Sequence, residues 1–212
     1  IVVFVALEHG TQFGALAATA AISAIAGLLV FGVTYCWASI LWQWPTALVC
    51  ATGAWLVTAI CLAAVPASPE LALIIAGLSL VLTPLALPPS GPSPASGGSL
   101  ADLPYRMLTG ALLTLSVTGA ASTVGEVWSG LLAVFPIIGL VLAVFTHRTM
   151  GASQVARMYR GMVKGLYSFA AFFLVLAVLW PQVDIWNACV IAVGAGVAVQ
   201  LVAQRPFGPS KM

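Results

Sequence analysis

Charge is what this sequence has least of. Seven Lys or Arg and five Asp or Glu stand among 212 residues, 6% charged against 62% apolar. A water-soluble domain carries roughly 25% charged residues and needs a polar shell. A soluble globular protein, a disordered tail and a nucleic-acid binder are therefore excluded. Metal-ligand spacing is missing too: Cys36, Cys50, Cys61 and Cys189 all fall inside apolar runs, with neither CxxC nor Cys/His spacing, and read as small core residues. A phosphate loop would need a strand before its glycines and Lys-Ser or Lys-Thr after them, and the sequence offers neither. No catalytic set, metal site or cofactor is expected.

What is there is hydrocarbon-compatible sequence, at about 20 apolar residues per membrane crossing. The fold class read from it is all-α, a polytopic transmembrane helix bundle of about eight spans. These lie at about 1–16, 24–41, 45–65 and 69–88 before a Pro/Gly/Ser linker at 89–103, and at 104–119, 127–146, 160–180 and 185–203 after it. The linker composition sustains neither helix nor strand. Breaks elsewhere carry local markers: Trp42, Trp44 and Pro45 at an interface, Pro66 with Pro69, and Pro181 with Asp184. An alternative merges residues 13–41 into one span, leaving seven. Ile1 is already membrane-like, and a few residues upstream of it are expected.

Two halves, 1–88 and 104–212, invite a test for duplication. Gly27-Leu28-Leu29-Val30-Phe31 aligns with Gly130-Leu131-Leu132-Ala133-Val134, and Ala64-Val65-Pro66 with Leu179-Trp180-Pro181, the extra length falling in a loop at 147–159. Four spans per half would make the repeats parallel, about an axis along the membrane normal. In the eight-span reading Arg106, Arg148, Arg157, Arg160, Lys164, Arg205 and Lys211 all fall on one side, which the positive-inside rule makes cytoplasmic, with both termini and the linker. The seven-span alternative moves the N-terminus outside. Glu126 before Trp128 and Asp184 before Trp186 read as helix-start acids followed by belt tryptophans.

Residues 108–205 resemble the GlpM-like family of small, four-span bacterial inner-membrane proteins. The resemblance rests on Ser129-Gly130-Leu131-Leu132-Ala133-Val134-Phe135-Pro136, on Gly151 and Ala156, and on Tyr167-Ser168-Phe169. The first half resembles a diverged copy that keeps Gly27-Leu28-Leu29 but has Gly32-Val33 where Phe-Pro would stand. The family's association with glycerol phosphate and exopolysaccharide metabolism brings no established chemistry, so the resemblance implies a bacterial inner-membrane location and a fold more than a function.

Few residues are candidates for chemistry. Glu8 and His9 form an ionisable pair; deep in a span they would face a partner or a wet cavity and suit proton coupling, whereas in an external loop they would be ordinary solvated groups. Thr34 and Tyr35 are further candidates to line a path. Arg148, Arg157, Arg160 and Lys164 are candidates for an anionic head group, the last three sharing a helix face at i, i+3 and i+7; the positive-inside rule alone also accounts for them. His147 reads as interfacial. Two function classes follow: a small permease or flippase-like transporter, or a non-catalytic membrane subunit that docks a partner. The expected partners are the bilayer, anionic lipid at the basic loop, and a membrane protein or a second copy of the chain.

Overall fold

The computed structural model describes Leu7 and residues 10–65, 68–90, 103–121 and 135–204. Among these residues the chain is helical throughout, with seven helices: α1 Thr11–Leu41, α2 Trp44–Ala63, α3 Pro69–Ala86, α4 Leu103–Ala121, α5 Ile137–Met150, α6 Ala152–Leu179 and α7 Ile185–Ala203. Their ends have local causes. α2 starts behind Trp42 and Gln43, with Pro45 supplying a helical φ in its first turn. Ser68 Oγ accepts the Leu71 amide at the head of α3 (3.3 Å), and the Asp184 carboxylate accepts the Trp186 amide at the head of α7 (3.0 Å). Gly151, at φ 85°, ends α5 and returns its amide to the His147 carbonyl (3.1 Å).

Two expected boundaries differ. The break expected between residues 16 and 24 is absent, and α1 is continuous, as in the merged alternative. Its polar interruptions cost the helix nothing, because the Thr19 hydroxyl donates to the Ala15 carbonyl (2.9 Å) and the Ser23 hydroxyl to that of Thr19 (3.4 Å). The expected loop at 147–159 shrinks to a turn at Gly151, with α6 beginning at Ala152. Its polar residues are spaced so that Val155, Ala156, Tyr159 and Val163 share a buried face. Residues 122–134, 91–102 and 205–212 lie outside the described residues, and with them Gly130, Glu126, most of the linker and the start of the expected sixth span.

The chain divides into two compact units. In the first, built from Ile1–Ile25, Ala67–Val81 and Gly161–Met212, α7 buries Ala188, Ala192 and Gly196 at successive i+4 positions. A Cβ on Gly196 would meet Ser168 Oγ at 3.3 Å, and the Ser168 hydroxyl donates to the Gly196 carbonyl (2.8 Å). α6 and α7 approach closely because glycine leaves that space. In the second unit, Ala26–Pro66 with Leu82–Arg160, α2 buries Ala47, Ala51, Trp55 and Ala59 and packs on α5, which also packs on α4. Gly32 lies against the buried Tyr159 ring, where a Cβ would fall 2.7 Å from two ring carbons. The Tyr159 hydroxyl donates to the Gly139 carbonyl (3.2 Å).

Both units carry large apolar side chains on their outer faces. Alanine is frequent in the interiors beside larger residues such as Trp180 and Tyr35, while Val49, Leu85 and Val190 stand 71, 82 and 72% exposed. Water would not tolerate such a surface, and hydrocarbon does, because lipid tails are as apolar as leucine.

Candidate functional site: a polar cleft at the α1–α2 turn

The last turn of α1, the turn at Trp42 and Gln43, the first turn of α2 and the last turn of α5 line an open cleft of about 440 Å³ in the second unit. Ser39, Gln43, Thr46 and His147 give it polar walls, with Ile40, Leu41 and Trp42 completing the lining. Below it, the Tyr35 hydroxyl and His147 Nδ1 lie 3.4 Å apart, the rings edge to face at 6.0 Å. Phe31 stacks on the other side of Tyr35 at 6.0 Å. Tyr35 is fully buried and Phe31 with it, so the Tyr35 hydroxyl fixes the imidazole from beneath. Either group can donate in that contact, according to the imidazole tautomer. Burial lowers the His147 pKa below its ordinary value of 6.5, and the ring is neutral at pH 7.

Arg148 stands beside this cleft, its guanidinium 5.6 Å from the centre of the Trp44 ring, a cation–π distance. Trp44 lies between the lining residues Gln43 and Thr46, so the stacking holds a positive charge at the rim. Among the described residues no Asp or Glu lines the cleft. The arrangement suits binding rather than bond-making: a neutral imidazole, a hydroxyl, an amide and a nearby cation, without a nucleophile and base in register. Among the described residues no three His, Cys, Asp or Glu side chains come together as a metal site.

Of the expected candidates, Tyr35 reaches the cleft through His147, while Thr34 is half-buried on α1 and does not line it. Glu8 and His9 lie outside the described residues. The four cations part company. Arg148 is at the cleft and Lys164, in the first unit, is exposed. Arg157 is half-buried on α6. Arg160 turns onto the C-terminal end of α3, donating to the carbonyls of Pro84 (3.2 Å), Leu87 (3.0 Å) and Pro88 (3.1 Å). Trp37 Nε1 donates to the neighbouring Ala86 carbonyl (2.7 Å). One turn earlier Pro84 has no N–H to offer the Leu80 carbonyl, and within the first unit the Tyr167 hydroxyl donates to that carbonyl instead (3.0 Å). Ser39, Gln43 and Thr46 had no individual signal in the sequence. The Trp-Gln-Trp-Pro turn that carries Gln43 and lies between Ser39 and Thr46 reads as an interface.

Among the described residues five helices are long and apolar enough to cross a membrane: Gly14–Leu41 within α1, then α2, α3, α6 and α7. With the apolar outer faces of both units, they make the chain a helical integral membrane protein. No family model matches it, and no curated protein or solved structure does either.

Proposed function

We propose that the chain is a small permease or flippase-like protein of a bacterial inner membrane, with the cleft as the mouth of its path. The observation that supports this reading is the origin of the cleft walls: Ser39, Gln43 and Thr46 precede the proline-rich linker and His147 follows it. Both halves of the sequence thus contribute polar groups to one cavity, as a path between two repeats requires. The duplication and the GlpM-like affiliation of residues 108–205 belong to the same proposal. Orientation follows the basic residues, with the linker, the cleft and the C-terminus cytoplasmic. Because α1 runs unbroken from Thr11, the merged-span topology is adopted and the N-terminus is outside.

Reconstituted protein assayed for gradient-driven uptake over a solute panel, and for fluorescent lipid translocation, tests the reading. Wild type should transport, and His147→Ala should lose transport. Unchanged transport in His147→Ala would remove the cleft from the path.

A second reading, the docking subunit that holds a membrane protein or a second copy of the chain, draws on a different observation. The mid-helix hydroxyls of Thr19, Ser23, Thr58 and Ser79 all bond back to their own helices. They are not offered to a path. A folded wild type that moves neither solute nor lipid decides for this reading.

A further inference from the structure

The cleft has a chemical preference that neither functional reading requires. The geometry points to a phosphate site: the α1–α2 cleft takes the phosphate of an anionic lipid head group or of a soluble phosphate, held by Gln43, Thr46, His147 and the rim cation Arg148.

Size admits such a ligand, since about 440 Å³ is within the range of small-molecule pockets. Sign favours it as well, because among the described residues no carboxylate lines the cleft, and Arg148, next to the lining residue His147, holds its guanidinium over Trp44. Donors are present: the Gln43 amide, the Thr46 hydroxyl and an imidazole N–H. The Ser39 hydroxyl is excluded from that count, as its proton goes to the Cys36 carbonyl (2.8 Å). α2 adds a directional field. Its 20 residues present their N-terminal dipole end here, and Gln43 leaves the first amides without a side-chain cap.

Placement agrees with these chemical features. Trp42 and Trp44 are the aromatic residues expected at head-group depth, and Ile40 and Leu41, 53 and 71% exposed, give the cleft an apolar flank suited to the glycerol and acyl end of a lipid. Arg148 supplies the charge-assisted contact with phosphate oxygens.

The inference shares the cleft with the proposed transporter but is tested as equilibrium binding, so the two can fail separately. Full-length protein would be placed in nanodiscs of phosphatidylcholine and titrated with inorganic phosphate by calorimetry. In a second arm, phosphatidylglycerol would be added to the nanodiscs and bound lipid read by native mass spectrometry. Saturable binding is expected in one arm at least: phosphate alone identifies a soluble ligand, phosphatidylglycerol alone a head group. Arg148→Gln should weaken binding roughly tenfold or more, the size of a charge-assisted hydrogen bond. Thr46→Val, on an exposed position of α2, should weaken it several-fold and decides the matter if Arg148→Gln does not fold. Lys164→Gln should leave binding unchanged. Absence of saturable binding in both arms, or an equal loss in Lys164→Gln, would overturn the site, the latter by reducing it to diffuse surface charge. Binding without transport would support the site and overturn the permease reading.

Discussion

Tyr167→Phe removes one oxygen and keeps the ring, yet it should destabilise the protein measurably. The Tyr167 hydroxyl donates to the Leu80 carbonyl at 3.0 Å, and that carbonyl lacks its regular helical donor because residue 84 is proline. Leaving a buried acceptor without a partner costs about 1–3 kcal/mol in water-soluble proteins. Hydrogen bonds between membrane helices average about 0.6 and reach about 1.7 kcal/mol. A loss of about 1 kcal/mol is expected, above the membrane average because no backbone amide stands in reserve. Pro84→Ala restores that amide, so in the Pro84→Ala background the same Tyr167→Phe change should cost about 0.3 kcal/mol or less, a double-mutant cycle with clear coupling. Unfolding in mixed detergent micelles, followed by helical circular dichroism, would measure all four proteins. Equal costs of Tyr167→Phe in the two backgrounds would refute the link between the proline and the tyrosine.

Three further outcomes are expected. Arg160→Lys should destabilise by about 1–2 kcal/mol in the same assay, because an ammonium lacks the fork that reaches the Pro84, Leu87 and Pro88 carbonyls together. Gly32→Ala, whose Cβ would sit 2.7 Å from the Tyr159 ring, should cost about 1–3 kcal/mol by overpacking; Gly53→Ala, with nothing within 4 Å, should gain about 0.5–1 kcal/mol of helix propensity. His147 has its pKa lowered by burial, so below its ordinary value of 6.5 the unfolded chain binds the proton more readily than the folded one. Stability contributed by the neutral ring is complete above that pH and is lost as pH falls through the folded pKa; melting curves of wild type and His147→Gln should diverge below pH 6.5 and run parallel above it.

The sequence was most informative where structure is set locally. Spans read at 45–65, 69–88 and 185–203 correspond closely to α2, α3 and α7, because Pro45, Pro69 and Asp184 act on the turns in which they stand. The expected break inside α1 came from an alanine-rich stretch with two hydroxyls, and those hydroxyls are satisfied within the helix, which hydropathy does not register. The polar residues at 147–159 suggested a loop for the same reason: charge was visible, whereas the inward face of Val155, Ala156 and Tyr159 depended on partners distant in the sequence. Tyr35 was a candidate and His147 an interfacial residue, but 112 positions separate them, and nothing local announces their meeting. The partners of Arg160 were hidden differently: backbone carbonyls leave no mark on a sequence, and only Pro84 hinted that the end of α3 would need outside donors.

Helix length carries a last consequence. α1, at 31 residues, is about 46 Å long and α6, at 28, about 42 Å, against a hydrocarbon core of about 30 Å. α2, α3 and α7 hold 20, 18 and 19 residues, about 27–30 Å, and match that core with no surplus. A thicker bilayer would meet reserve length in α1 and α6 and none in the other three, so the strain of mismatch would fall on the short helices. Two of the cleft walls, Gln43 and Thr46, stand at the start of one of them, and the thickness of the host membrane becomes a mechanical input to the mouth of the cleft.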